Sequence, residues 1–212
     1  MATQQRHLTR ARSRPRPAAR PRGHPADAGA ARVAYLYQGE ELGLHEVADI
    51  PAERIQDPAF LRSGGAEKGR DGCRVPLPWT ADGPSFGFGT EPAHLPQPAW
   101  FGPLSVQAQE HDPASTLALY RQALSWRRKL QAAENLEWMP GTNGQVLHFG
   151  RPGGWQSVTN FGSRPVPVPR GTVVVASGPL QDGLLPADTT AWLIPAGHRF
   201  PGVEALEATS SP

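Results

Sequence analysis

Between Ser63 and Pro103 the sequence has no sustained period: 41 residues hold eight Gly and seven Pro. Neither the helical spacing of 3.6 nor the strand spacing of 2 survives more than a few positions there. Loops beyond about 12–15 residues are uncommon inside compact domains and are mostly functional excursions or linkers. A chain built around such a stretch is loop-rich, with its regular elements on either side, and the excursion packs on something larger than itself.

The flanks supply those elements. Val33–Tyr37 is a short β-prone run ending in Gln38-Gly39, a strand feeding a loop. Pro51 opens a segment with Ile55, Phe60 and Leu61 that predicts a helical turn or two over residues 51–62. Asp112-Pro113 reads as an N-cap and first helical residue, and Ala114–Leu130 follows as the best helix in the chain, with Leu117, Tyr120 and Leu124 at helical spacing. Arg127, Arg128 and Lys129 stand in its last turn, where the helix dipole favours cations. Six short runs then predict strands: Leu136–Met139, Val146–Phe149, Trp155–Phe161, Val166–Val168, Thr172–Ala176 and Ala191–Ile194. Pro140-Gly141, Asn143-Gly144, Gly153-Gly154 and Asp182-Gly183 separate them as turns, so a small antiparallel sandwich is expected. Trp126 and Trp138 are expected to seal its junction with the helix.

Charge divides the chain differently. The net charge is +2, yet residues 1–32 carry eight Arg and a single acid, Asp27, which leaves 13 basic against 18 acidic residues in the remainder. No aromatic residue interleaves with these arginines to stack on bases, so nucleic acid is not an expected partner. The tail has no apolar region of a secretory signal. Arg outnumbers Lys 19 to 2 over the chain, and a tail of Arg, Ala, Pro, Gly and His is what a GC-rich coding region yields in a wrong frame. Translated remnant, solvated tail and basic arm are its three readings. No apolar run approaches the ~20 residues of a membrane span. Cys73, the one cysteine, permits no internal disulfide, and a cytoplasmic setting is expected.

Few residues suggest chemistry. Glu40 and Glu41 are adjacent carboxylates, but neighbours in an extended segment point to opposite sides and do not converge on one bond. His45-Glu46 has no second ligand pair at metal spacing, so neither metal nor cofactor is expected. Cys73 has an arginine beside it, but a packed lone cysteine is the simpler reading. Arg70 and Arg74 in Arg-Asp-Gly-Cys-Arg are the better candidates. Arginine forks beside an aromatic wall, here Trp79, with Trp100 as a second ring, suit a polar ligand such as a sugar. Ion pairs with Asp71 and Glu67 are the competing use of the same arginines.

Three motifs stand in order: Tyr-Leu-Tyr-Gln-Gly-Glu-Glu-Leu-Gly-Leu (35–44), Gly-Arg-Asp-Gly-Cys-Arg-Val-Pro-Leu-Pro-Trp (69–79) and Asp-Pro-Ala-Ser-Thr-Leu-Ala-Leu-Tyr-Arg (112–121). Over about 34–206 the chain resembles the C-terminal third of bacterial α-glucosidases of glycoside hydrolase family 13, the α-amylase superfamily. Leu-Pro-Gln-Pro-Ala-Trp (95–100) looks like its actinobacterial branch. The resemblance implies an α+β fragment: the last strand–loop–helix unit of a (β/α)₈ barrel, then a small all-β antiparallel C-terminal sandwich. The divisions expected are a disordered tail over 1–32, the end of the barrel over 33–132, the β domain over 133–208 and a tail over 209–212. Retaining hydrolysis of terminal α-linked glucose from oligosaccharides is the implied activity, with Arg70, Arg74 and Trp79 at the sugar.

In that family the catalytic Asp, Glu and Asp all precede the Tyr-x-Tyr-Gln-Gly motif, so no catalytic residue is assigned here and the chain alone is expected to be inactive. Residues 34–110 are expected to be poorly ordered in isolation, because a parallel barrel strand is normally buried between two neighbours. A glucosyl-isomerising relative of the trehalose-synthase kind is the alternative; it more often carries Asp where Glu40 stands. A non-catalytic sugar-binding or subunit-like module is another.

Overall fold

The computed structural model describes residues 34–130 and 135–197. The Arg-rich tail, Val33, and the ends of the expected domains at 131–134 and 198–212 lie outside the described residues. Two compact units are present, one formed by Tyr37–Ala118 and the other from Leu119 onward.

In the first unit regular structure is sparse. Helix α1 (Pro58–Arg62) follows a single 3-10 turn at Ala52–Arg54, α2 spans Val106–Gln109, and three further 3-10 turns punctuate the excursion. The strand expected at 33–37 is not formed in its described part: Ala34–Tyr37 joins no ladder among the described residues. An extended run becomes a strand only by hydrogen bonding to a neighbour, and no neighbour stands beside it among the described residues. Tyr35, Leu36 and Tyr37 are exposed.

Residues 34–110 have an apolar cluster despite the missing ladder. Leu42, Leu44, Val47, Val75, Leu95, Phe101 and Leu117 form a buried cluster, so the excursion covers apolar side chains of its own instead of depending on a paired strand. Gln109 stitches that cluster together. Its buried amide donates to the carbonyls of Leu42 and Leu104, each at 2.9 Å, and accepts from Leu117 N at 3.1 Å. A buried amide with both ends satisfied fixes where three separate segments meet.

The long helix α3 is Thr116–Leu130, and it starts two residues later than its sequence suggests. Asp112 instead closes a local turn, accepting from Ala114 N at 2.8 Å. Ser115 does the capping: its Oγ accepts from Ala118 N at 3.1 Å and donates to Gln109 O at 2.9 Å.

In the second unit all six expected strands occur, with shifted ends and one addition. They are β1 (Glu137–Trp138), β2 (Val146–Gly150), β3 (Gln156–Asn160), β4 (Val166–Pro167), β5 (Gly171–Ala176), the unforeseen β6 (Leu184–Leu185) and β7 (Thr189–Pro195). Five form one sheet in the order β1-β2-β3-β7-β5 and two form a ribbon, β4-β6, and every pairing is antiparallel. Asp182 (φ 51°) and Gly183 (φ 75°) form the tight turn into β6, the left-handed pair that an Asp-Gly hairpin turn requires.

The two faces of the large sheet are covered differently, so this is not a symmetric two-sheet sandwich. Val158, Ala191 and Leu193 pack with Leu185 of the ribbon. On the other face Trp155, Val174, Val175, Trp192 and Ile194 pack with Ala123, Trp126 and Leu130 of α3. A bulge in β5 between Val173 and Val175 turns Val174 toward the helix beside Val175. Trp155 Nε1 donates to Leu130 O at 3.1 Å, satisfying a carbonyl at the helix end. Trp126 lies in this junction as expected, but Trp138 does not; it is exposed, with its ring edge-on to Phe149. On a two-residue edge strand it has sheet on one side only, and Trp155 and Trp192 fill the junction instead.

Candidate functional site

The arginine loop is held by two buried carboxylates. Asp57 precedes Pro58 and caps α1, its Oδ1 accepting from Ala59 N at 2.8 Å. Its Oδ2 accepts from Arg70 N at 2.8 Å and from Arg74 Nη1 at 3.2 Å. Asp71 returns the arrangement: its Oδ2 accepts from the backbone N–H groups of Gln56 and Asp57, at 2.5 and 2.9 Å. Its Oδ1 lies 3.5 Å from Arg74 Nη1. Two segments about a dozen residues apart are thus clasped by two acceptors and one shared cation.

Glycine makes the clasp possible. Gly69 has φ +73°, and a Cβ there would lie 2.3 Å from Asp57 Cγ, so only glycine lets the carboxylate reach the next amide. Gly72 passes equally close to Val47 O, at 2.5 Å from the position of a Cβ. The electrostatics are set by the donors. The N–H groups of Ala59 and Arg70 hold the Asp57 carboxyl below the usual aspartate value; burial opposes this, and Arg74 and Arg62 add to it.

The two arginines separate in role. Arg74 is the brace, bonded to both acids. Arg70 gives the clasp its backbone only; its side chain is exposed and its guanidinium has no hydrogen-bond or ion-pair partner among the described residues. Glu67 pairs with neither arginine. Trp79 is 51% exposed on a well-anchored backbone: its N–H donates to Phe86 O at 2.8 Å and its carbonyl accepts from Gln107 N at 3.0 Å. No hydrogen bond or ring contact joins Trp79 to either arginine. Ser85 and Phe86, opposite it, both have left-handed φ, 48° and 46°, an arrangement that costs about 1–3 kcal/mol per residue and needs firm surroundings.

The remaining candidates have local uses. Glu40 and Glu41 stand in a turn and not in an extended run; Glu41 Oε2 accepts from Gly39 N at 2.9 Å. His45 meets the half-exposed Trp100 at 6.3 Å between ring centroids. Among the described residues no three His, Cys, Asp or Glu converge as a metal would require. Cys73 is a free thiol of intermediate burial. Asp57 is a residue of the clasp that sequence reasoning misses, although Asp57-Pro58 repeats the capping signature seen at Asp112-Pro113; that signature is the signal that could have found it.

Comparison with known proteins places this loop in a family. The family model described as alpha amylase, catalytic domain, matches residues 25–135, which include the whole clasp and α3. A probable alpha-glucosidase of Rhizobium meliloti (strain 1021) is 39% identical over 125 residues, 58% of this chain and 22% of that protein. The chain therefore spans about a fifth of the length of this relative. The crystal structure of an alpha-glucosyl transfer enzyme, XgtA, superposes with a TM-score of 0.66 at 30% identity, covering 84% of this chain and 36% of that one. The trehalulose synthase MutB from Pseudomonas mesoacidophila MX-45 gives 0.68 at 18% identity over 84% of this chain and 39% of its own, a likeness of fold alone. With more than half of its residues under one family model, the chain belongs to the alpha-amylase family of glycoside hydrolases.

Proposed function

We propose that this chain is the C-terminal third of an actinobacterial-type α-glucosidase, and that its arginine loop binds the terminal glucose of an α-linked oligosaccharide. In this reading residues 33–132 end the (β/α)₈ barrel and 133–208 form the C-terminal β domain. The whole enzyme, cytoplasmic and free of cofactor, would hydrolyse with retention through a glycosyl-enzyme intermediate. The observation that carries the reading is the division of labour between the arginines. A guanidinium with no partner among the described residues, on a loop fixed by two carboxylates and a second arginine, is preorganised to meet ligand hydroxyls. Trp79, half-exposed on an anchored backbone, supplies an aromatic wall. The likeness to an alpha-glucosidase at 39% identity favours a glucoside as the ligand.

Arg70 is accordingly the sugar contact and Arg74 its brace. In a reconstructed full-length enzyme, Arg70→Ala is expected to lower kcat/KM by about 2–4 kcal/mol, the scale for losing a buried charged hydrogen bond. Near-normal activity of that variant would remove Arg70 from the site.

A second reading, transfer or isomerisation of the glucosyl group, is favoured by the 30% identity to an alpha-glucosyl transfer enzyme. Products separate the two: free glucose in water for hydrolysis, a new glycosidic bond for transfer.

A further inference from the structure

We propose that Asp57 is a positioning residue for the sugar site: its carboxylate fixes where Arg70 stands, and Arg70 meets the ligand only while that carboxylate is intact. This rests on the reading of Arg70 as a sugar contact. The polar groups that meet the Asp57 carboxylate are donors or cations. Ala59 N lies at Oδ1, and Arg70 N and Arg74 Nη1 at Oδ2. A site with donors on both sides accepts only a group with two acceptor oxygens. An asparagine would set its NH₂ against a donor whichever way the amide turned, and a protonated aspartic acid would do the same with its hydroxyl.

The titratable and charged groups around it are Arg74, Arg62, Arg70 and Asp71. Asp71 takes backbone donors of its own, Gln56 N and Asp57 N, and shares only the Arg74 guanidinium with Asp57. Asp57 therefore sets the backbone of Arg70 directly while leaving its guanidinium unengaged. It is also the only described side chain hydrogen-bonded to the Arg70 backbone.

The test uses the whole chain, labelled with nitrogen-15, and maltose at about 100 mM, a concentration at which millimolar binding is seen. The amides of Ala59 and Arg70 are expected to titrate together, with a midpoint below the ordinary aspartate value. The maltose-induced shift of the Arg70 Nε–Hε signal is expected to fall with that same midpoint. In Asp57→Asn the joint titration should vanish and maltose should bind about tenfold more weakly or worse, while the β3 and β7 amides keep their wild-type shifts. The proposal is overturned if the two wild-type amides titrate apart or not at all, which needs no variant to fold. It is equally overturned if Asp57→Asn keeps the full maltose response at Arg70. Joint titration with no maltose response at Arg70 in the wild type would support the backbone clasp and sink the sugar reading.

Discussion

A carboxylate surrounded by donors has one protonation state that fits, and for Asp57 that state is the ionised one. Its carboxyl is held below the ordinary value by the N–H groups of Ala59 and Arg70 first, and by Arg74 and Arg62 after them. A lowered folded-state value means that its contribution to stability is complete above the unfolded value, near ~3.9, and is lost as pH falls through the folded one. Residues 56–74 should therefore stay clasped at pH 5 and open only in stronger acid. Hydrogen exchange at the Ala59 and Arg70 amides, corrected for intrinsic rates, reads this directly; loss of protection between pH 7 and 5 would contradict it. Gly69 tests the same clasp sterically. With φ +73° and no room for a Cβ beside Asp57, Gly69→Ala is expected to cost about 1–3 kcal/mol in backbone strain, with further cost from the clash. Unfolding in urea with the exchange of Arg70 N as a local probe measures it, and an unchanged midpoint with an intact Arg70 bond would refute the steric account.

The described α-helices begin where a side chain satisfies the first amides, and α3 makes the point. Ser115 Oγ accepts from Ala118 N and donates to Gln109 O, so Ser115→Ala removes a cap and leaves a buried carbonyl with one partner fewer. A loss of about 1–2 kcal/mol is expected from denaturant melts; a loss no larger than that of Asp112→Ala would return the cap to Asp112. The sequence points to Asp112-Pro113 because capping residues look alike before their partners are known. Legibility varies in the same way elsewhere. Val146–Phe149 and Ala191–Ile194 are readable as strands because β-branched and aromatic runs sit between Gly-rich turns. β6 escapes because two leucines after a tight turn carry no period. Val33–Tyr37 misleads because composition reports a residue's preference for a ladder and not the presence of a partner strand. Arg70 and Arg74 are visible as a pair, but their different roles are not, since Asp57, 13 residues before Arg70, decides them.

For the molecule as a whole, this chain by itself is expected to lack α-glucosidase turnover, and the arrangement of acids in the arginine loop and the first turn is the ground for it. Retaining hydrolysis needs a nucleophilic carboxylate and a protonated carboxyl about 5 Å apart, facing each other across the glycosidic oxygen. The two buried acids of the arginine loop, Asp57 and Asp71, are fully used in structure. Each accepts from two backbone N–H groups, and both lie against Arg74. Asp57 is held charged at neutral pH, which spoils it as an acid. Glu41 is bonded to its own turn and adjoins Glu40, so these two have no gap between them for a sugar ring. Binding groups without the reacting pair contribute little to rate, because groups that act as a unit are not additive. Purified chain is therefore expected to release no nitrophenol from an α-glucoside beyond an Arg70→Ala control prepared identically. Release above that control, in proportion to protein and undiminished by further purification, would require a pair of working carboxyls elsewhere in the chain.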